Sequence, residues 1–274
     1  MKRVLSAFLS VLLATGLVVS MAAPAGAITG GQLDSRHGNV GAVLVEIPGV
    51  GMAAVGSGTL VGPDAVLTAG HVTAYLQMLI LQGVISLADV HVSFDQNPVA
   101  EGASLLGVSE INTHPQFNGF RGRSNPYDVG VLVLSNTVSI TPATLAPQGF
   151  LDTLRNDGDL RHGGNVAGFT VVGYGATLQW PPPVLTFDFQ RRSAKSGFQA
   201  LLPAWLRLSQ NIATGNGGTA IGDSGGPAFW PLPDGSEYLV GITSWGDKPC
   251  VAIGFYYRTD MAETLAFIQP FIEP

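Results

Sequence analysis

The sequence predicts an all-β protein made of two β domains. Three observations carry that prediction. Short apolar segments rich in Val, Ile, Leu and Thr recur along the chain, most of them bounded by turn residues. The 36 glycines and 18 prolines make up about a fifth of the 274 residues, which favours frequent turns over long helices. Only one segment, near the C-terminus, has a clear helix signature.

The strands are expected at Val40–Ile47, Gly58–Val61, Ala65–Thr68, Val90–Phe94, Val129–Leu134, Phe169–Val172 and Tyr238–Thr243, among others. Between Thr141 and Leu154 the pattern weakens around Pro142, Pro147 and Gly149, which suggests a link between the two domains. Trp180-Pro181-Pro182-Pro183 reads as a surface loop of polyproline character. For the helix, Asp260 is expected to cap Met261–Gln269, with Glu263 completing a capping box. Leu265, Phe267 and Ile268 would supply its docking surface. No repeat of fixed period and no low-complexity tract interrupts this organisation.

Composition excludes several function classes. Charged residues are 12% of the chain and apolar residues 46%, so a sizeable core can form and disorder is excluded. The net charge of −6, with no basic run beyond Arg191-Arg192, argues against a nucleic-acid partner. A single cysteine, Cys250, allows no intrachain disulfide.

Residues 1–27 read as a signal peptide. Lys2 and Arg3 precede an apolar run from Val4 to about Val19, and small residues up to Ala27 form an A-x-A cleavage site. The run is shorter than the ~20 residues that span a bilayer. Secretion is therefore expected, with no membrane association after the leader is removed. Removal takes two positive charges and no acid, leaving a net charge near −8 and Ile28-Thr29-Gly30-Gly31 as the new terminus.

The strongest chemical signal is Gly222-Asp223-Ser224-Gly225-Gly226-Pro227. A serine hydroxyl is a weak nucleophile until a base takes its proton, and flanking glycines let backbone N–H groups approach a reacting carbonyl. The pattern alone also fits an α/β-hydrolase elbow, but that fold needs a histidine after the serine. All five histidines, His37, His71, His91, His114 and His162, precede Ser224. The opposite order has candidates: Thr68-Ala69-Gly70-His71 closes an apolar strand, and Asp128-Val129-Gly130-Val131-Leu132 opens another.

With these residues, the chain resembles the trypsin-like, chymotrypsin-fold serine proteases, of secreted bacterial type. Ile28–Gly31, Thr68–His71, Asp128–Leu132, Gly173-Tyr174-Gly175, Gly222–Pro227 and Ser244-Trp245-Gly246 are similar to six family motifs, in the family's order. The resemblance implies two antiparallel β-barrels packed together, with a C-terminal helix. The expected division is 28–140 for the barrel carrying His71 and Asp128, 141–154 for the linker, and 155–274 for the barrel carrying Ser224 and the terminal helix. It implies a catalytic triad of His71, Asp128 and Ser224, and an oxyanion hole from the N–H groups of Gly222 and Ser224. It makes Gly218, Ser244, Trp245 and Gly246 the substrate-binding residues. It pairs the Ile28 ammonium with Asp223 on activation.

The departures matter as well. Val72 and Ala220 stand where cysteines are common in the family, so Cys250 resembles half of a lost disulfide. Gly218 carries no charge at the position that sets specificity, so Lys or Arg preference is not implied. Gly246 and Gly254 would leave the pocket open, suggesting an apolar or aromatic side chain before the scissile bond. Asp247 is expected at an exposed rim. His37, His91, His114 and His162 lack metal-ligand spacing, and neither metal nor cofactor is expected. The expected function is a secreted serine endopeptidase, a monomer acting on protein or peptide substrates. The alternatives are a weakly active or inactive homologue that binds peptides or surfaces, and an esterase using the same residues.

Overall fold

The structure is a computed structural model that describes residues 28–120, 124–162, 168–179 and 184–272. The leader, 1–27, and the proline loop, Trp180–Pro183, lie outside the described residues. The first barrel contains β2 (Val40–Ile47), β3 (Gly51–Leu60), β4 (Ala65–Thr68), β5 (Val90–Ser93), β6 (Leu106–Thr113) and β7 (Gly130–Leu134), preceded by the short β1 (Gln32–Leu33). These strands close in the order β2-β3-β4-β7-β6-β5. After β8 (Thr144–Leu145) come β9 (Phe169–Gly173), the hairpin β10 (Thr177–Gln179) and β11 (Val184–Thr186), β12 (Arg192–Leu201), β13 (Trp205–Ser209), β14 (Pro227–Pro231), β15 (Glu237–Gly246) and β16 (Ile253–Arg258). Strands β9, β12, β13, β16, β15 and β14 close the second barrel. All pairings within the barrels are antiparallel, and β1 joins the second barrel by pairing with β12.

The barrels close because alternate residues turn inward and are apolar. Leu44, Leu60, Val66 and Leu132 are fully buried in the first; Phe169, Leu206, Val240 and Tyr256 in the second. The seam between them is apolar too. Val172, Phe229, Leu239, Ile242 and Tyr257 of the second barrel belong to the same buried cluster as the first-barrel core. At the seam the Tyr174 hydroxyl lies 2.8 Å from the Asp95 carbonyl and 3.1 Å from that of Val40, and accepts from Arg191.

Three expectations change. The sequence gives no signal for α1 (Gly70–Leu81), which follows β4 directly. Its residues are so uniformly apolar that no amphipathic stripe stands out, and such runs read equally well as strand. The segment 141–154 is no bare linker: β8 pairs in parallel with β15, and α2 (Phe150–Asn156) begins within it. The terminal helix, α3, spans Ala262–Ile272 and continues through Pro270 in its last turn. Asp260 does not cap it. The buried Asp260 carboxylate instead accepts from Leu151 N–H at the start of α2 (2.9 Å) and pairs with Arg258, while Glu263 accepts from Asn125. A buried guanidinium is a stronger partner than α3's own exposed amides.

One histidine without a functional reading acquires a structural role. His37 is buried, stacked on Phe229, with Nδ1 2.7 Å from Asp34 and Nε2 2.8 Å from Glu237 of β15. Only imidazolium can donate to both carboxylates. Burial lowers its pKa, but the bonds to Asp34 and Glu237 outweigh burial and hold it above the usual value. A raised histidine pKa stabilises the fold at low pH and loses that contribution as pH rises through the raised value. His37→Phe keeps the stacking but removes the donor that both carboxylates share, leaving Glu237 with Arg36 at 3.7 Å and Asp34 with Arg191 at 3.9 Å. It should destabilise by ~3 kcal/mol at pH 5.5 and by less at pH 9, read from urea midpoints at the two pH values.

Candidate active site

Strand β4 delivers the chain to Ala69, whose extended backbone starts α1 with no side-chain cap. An orphan amide of the first turn is satisfied from outside the helix: Asp128, two residues before β7, accepts from His71 N–H at 2.7 Å. The register Thr68↔Gly130 between β4 and β7 places Asp128 just beyond the strand pair, opposite the helix start. The same carboxylate lies 3.0 and 3.1 Å from His71 Nδ1 and accepts from Ser244 Oγ of β15. Asp128 is completely buried, while His71 keeps 27% of its side chain exposed. Both carboxylate oxygens face Nδ1, so Nδ1 carries the proton and Nε2 is left as an acceptor. Gly70 makes this approach possible, since a Cβ there would sit 2.9 Å from Val129 N. His114 lies outside the His71–Asp128 pair. It stacks on Tyr127 at 4.7 Å and braces the residue before Asp128.

Ser224 lies half-buried in the turn that enters β14. Ser57 of β3 donates its N–H to the Ser224 carbonyl (2.7 Å), and its own carbonyl accepts from Thr68 Oγ1 (2.8 Å). Gly225, at φ +86°, is pressed so closely on Thr68 that a Cβ would overlap its hydroxyl oxygen. Gly225 N–H and Gly226 C=O pair with Thr243, next to Ser244. The Ser224 turn is thus stitched to the residues just before His71 and to the residue just before Ser244. Ser57 has no sequence signal beyond a small polar residue between two glycines. Among the described residues, the amides of Asp223, Gly225 and Gly226 donate to backbone carbonyls, whereas those of Gly222 and Ser224 have no protein acceptor.

Asp223 is fully buried. It accepts from the N–H groups of Gly175 and Ala220, both at 2.8 Å, and no cation among the described residues pairs with it. Burial raises its pKa to about 7, against the lowering effect of those two bonds. Ile28 is buried in the second-barrel core, and Thr29 pairs with Gly218 through hydrogen bonds of 2.8 and 3.0 Å. The expected terminus therefore lies against the segment leading to Asp223, and among the described residues no hydrogen bond or ion pair joins Ile28 to Asp223.

Along the other wall, Trp245 is half-exposed and stacks on Phe255 with ring centroids 3.7 Å apart. Trp245, Trp205, Pro126 and Phe120 line an open cleft of about 280 Å³, and the Phe120 ring lies 6.0 Å from that of His71. A larger cavity of about 910 Å³, around Lys195, Phe198 and Asn216, contains none of the site residues above. Gly218 is buried and Gly246 exposed, with the buried Gln210 side chain between them. Asp247 is half-exposed rather than a free rim charge. Its carboxylate accepts from the amides of Val251, Ala252 and Ile253 and shapes that loop. Burial pushes its pKa up, but those bonds prevail and hold it below the ordinary value. Cys250 packs on Ala220 and Ala176, and burial raises its thiol pKa, so it is a neutral apolar filler. Among the described residues, no group of three acidic, histidine or cysteine side chains is arranged to hold a metal ion.

Two closed six-stranded barrels, with a histidine–aspartate pair where they meet, define a serine-protease type of fold. The chain belongs to the trypsin family: a family model described as Trypsin matches residues 39–266. It is 24% identical over 212 residues to a Lectizyme of Glossina austeni, covering 71% of this chain and 69% of that protein. It is 26% identical over 225 residues to a Trypsin of Saccharopolyspora erythraea, covering 75% and 85%. The protein therefore carries a trypsin-family serine protease domain.

Gly70→Ala tests the geometry of the pair. The added methyl group should push α1 off β7, costing ~1–3 kcal/mol as overpacking does. It should also abolish the far-downfield proton NMR signal expected for an imidazole N–H held by a buried carboxylate.

Proposed function

We propose that this protein is a secreted serine endopeptidase using His71, Asp128 and Ser224 as a catalytic triad, without preference for Lys or Arg. The observation that carries the reading is Asp128. A fully buried carboxylate, bonded to His71 Nδ1 and N–H and to Ser244, fixes both the tautomer and the direction of the imidazole. The turn holding Ser224 is tied to the strand ends on either side of that pair.

In this mechanism Ser224 Oγ attacks the scissile carbonyl carbon and passes its proton to His71 Nε2. Asp128 stabilises the imidazolium without taking the proton. The carbonyl oxygen becomes an oxyanion held by the N–H groups of Gly222 and Ser224, whose lack of an acceptor among the described residues supports this role. Each such donor contributes ~3 kcal/mol to barrier lowering. His71 then gives its proton to the leaving amine and the C–N bond breaks, leaving an acyl-enzyme. Water, deprotonated by the same imidazole, hydrolyses the ester and restores Ser224. The Ser244–Gly246 edge would pair with an extended peptide, and the cleft of Trp245 and Phe120 would take an apolar residue further back.

Secretion and activation are part of the same proposal. Cleavage after Ala27 would free the Ile28 amine, and the buried Asp223, which no cation among the described residues meets, is the acid it would pair with. In the uncut chain Asp223 holds a proton that the unfolded chain loses, so stability falls as pH rises from about 4 towards 7. A nearby ammonium would reverse that penalty. The contribution of such a pair would fade as pH rises and the ammonium loses its proton. A kcat/KM that falls at alkaline pH follows, that limb set by loss of the ammonium.

The direct test is labelling of the secreted protein with a serine-directed phosphonate, and mass-spectrometric mapping of cuts in a denatured protein mixture. Ser224→Ala should abolish both, and an unlabelled wild-type protein would defeat the reading. Separately, one residue added ahead of Ile28 should lower kcat/KM by a hundredfold or more, the ~3–5 kcal/mol cost of a broken buried pair. Unchanged turnover from a variant of verified N-terminal sequence would remove the activation step.

A further inference from the structure

Resting on the peptidase reading, the geometry points to Gln210 as the residue that sets specificity, closing the pocket beside Ser224 so that it takes a small, uncharged side chain. The pocket has two walls. One is the segment from Gly218 to Ser224; the other is the Ser244–Gly246 edge, backed by Gly254, which pairs with Gly246. A peptide extended along that edge sends alternate side chains to opposite sides, so the residue before the scissile bond enters between the walls. The glycines at 218, 246 and 254 would make this space deep. Instead all three face the Gln210 carboxamide. A Cβ on Gly218 would overlap Gln210 Cγ and Oε1; one on Gly254 would lie 3.0 Å from Oε1, and one on Gly246 3.7 Å from Nε2.

Gln210 comes from outside both walls, at the end of β13, and its side chain is wholly buried. Nε2 donates to the Ile253 carbonyl at 3.2 Å, and Oε1 accepts from Thr219 Oγ1 at 3.2 Å. Thr219 Oγ1 is also 3.1 Å from the hydroxyl of Tyr256, which is itself fully buried. Swinging the carboxamide aside to admit a large residue would break both hydrogen bonds of a wholly buried amide group. The floor is therefore fixed, neutral and shallow. It excludes an aromatic ring by volume, and it disfavours lysine or arginine because the Gln210 carboxamide that forms it carries no charge to pair with a buried cation. The aromatic preference implied by the glycines alone is replaced by a preference for alanine, serine or glycine.

The test uses the mature secreted protein and a peptide series identical except for Ala, Phe or Arg before the scissile bond, with active sites counted by phosphonate labelling of Ser224. Wild type should favour Ala over Phe and over Arg by at least ~10-fold in kcat/KM. Gln210→Gly should open the pocket and reverse the Ala-to-Phe order. Gln210→Glu places a carboxylate on the floor and should gain Arg cleavage, an outcome that a purely structural glutamine would not give. If the wild type is labelled and cleaves but prefers Phe or Arg, the pocket assignment is overturned while the peptidase reading stands. Labelled variants that keep the wild-type order overturn it equally. Absence of labelling in wild type overturns both. Should a variant fail to fold by circular dichroism, the wild-type ranking decides the matter by itself.

Discussion

A carboxylate with no access to water organises this molecule. Asp128 is ionisable and fully buried, an arrangement that costs several kcal/mol unless the charge is met by donors. It has three donor groups, drawn from two parts of the chain. The His71 amide and imidazole come from the first turn of α1, and the Ser244 hydroxyl comes from β15 of the other barrel. Withdrawing any of them leaves charge stranded in an apolar seam. The aspartate therefore constrains where α1 starts, how β7 leaves its turn and how the second barrel docks. The same constraint orients the imidazole, so the fold's stability and the site's geometry have one cause.

The barrels are not independent units joined by a tether. Their cores merge across Val172, Phe229 and Tyr257, and polar bonds pin the seam at both ends. Tyr174 and Arg191 tie the second barrel to the carbonyls of Val40, Phe94 and Asp95. Ser57 ties the first barrel to the Ser224 turn. A site built on such a seam needs no long-range motion to assemble its groups, because apolar burial and the polar pins fix the docking together.

The legible parts of the fold were those with a local cause. Val40–Ile47 and Ala65–Thr68 are strands over those very residues, because short β-branched runs between turn residues have few other conformations. The Gly222–Pro227 turn was readable because positive φ at Gly222 and Gly225 requires glycine. α1 was hidden because further apolar residues around the helix mask its buried row of Val72, Leu76 and Leu79. Asp260 was misread because a sequence window shows Glu263 three residues on but shows neither Arg258 folding back nor the start of α2 arriving from more than a hundred residues away. The link at 141–154 looked irregular because α2 and β8 are short and depend on their neighbours for order.

By itself the sequence determined the all-β class, the order of the histidine, aspartate and serine motifs, and the absence of an internal disulfide. All of these follow from residue type and local backbone preference. Tertiary structure alone decided which groups meet. It set His37 between Asp34 and Glu237, placed Ser57 under Ser224, and pushed Gln210 into the space that three glycines had left open. Those contacts join residues from three to two hundred positions apart. Their energies come from burial and from satisfying polar groups once water is excluded, quantities that exist only after the barrels have closed.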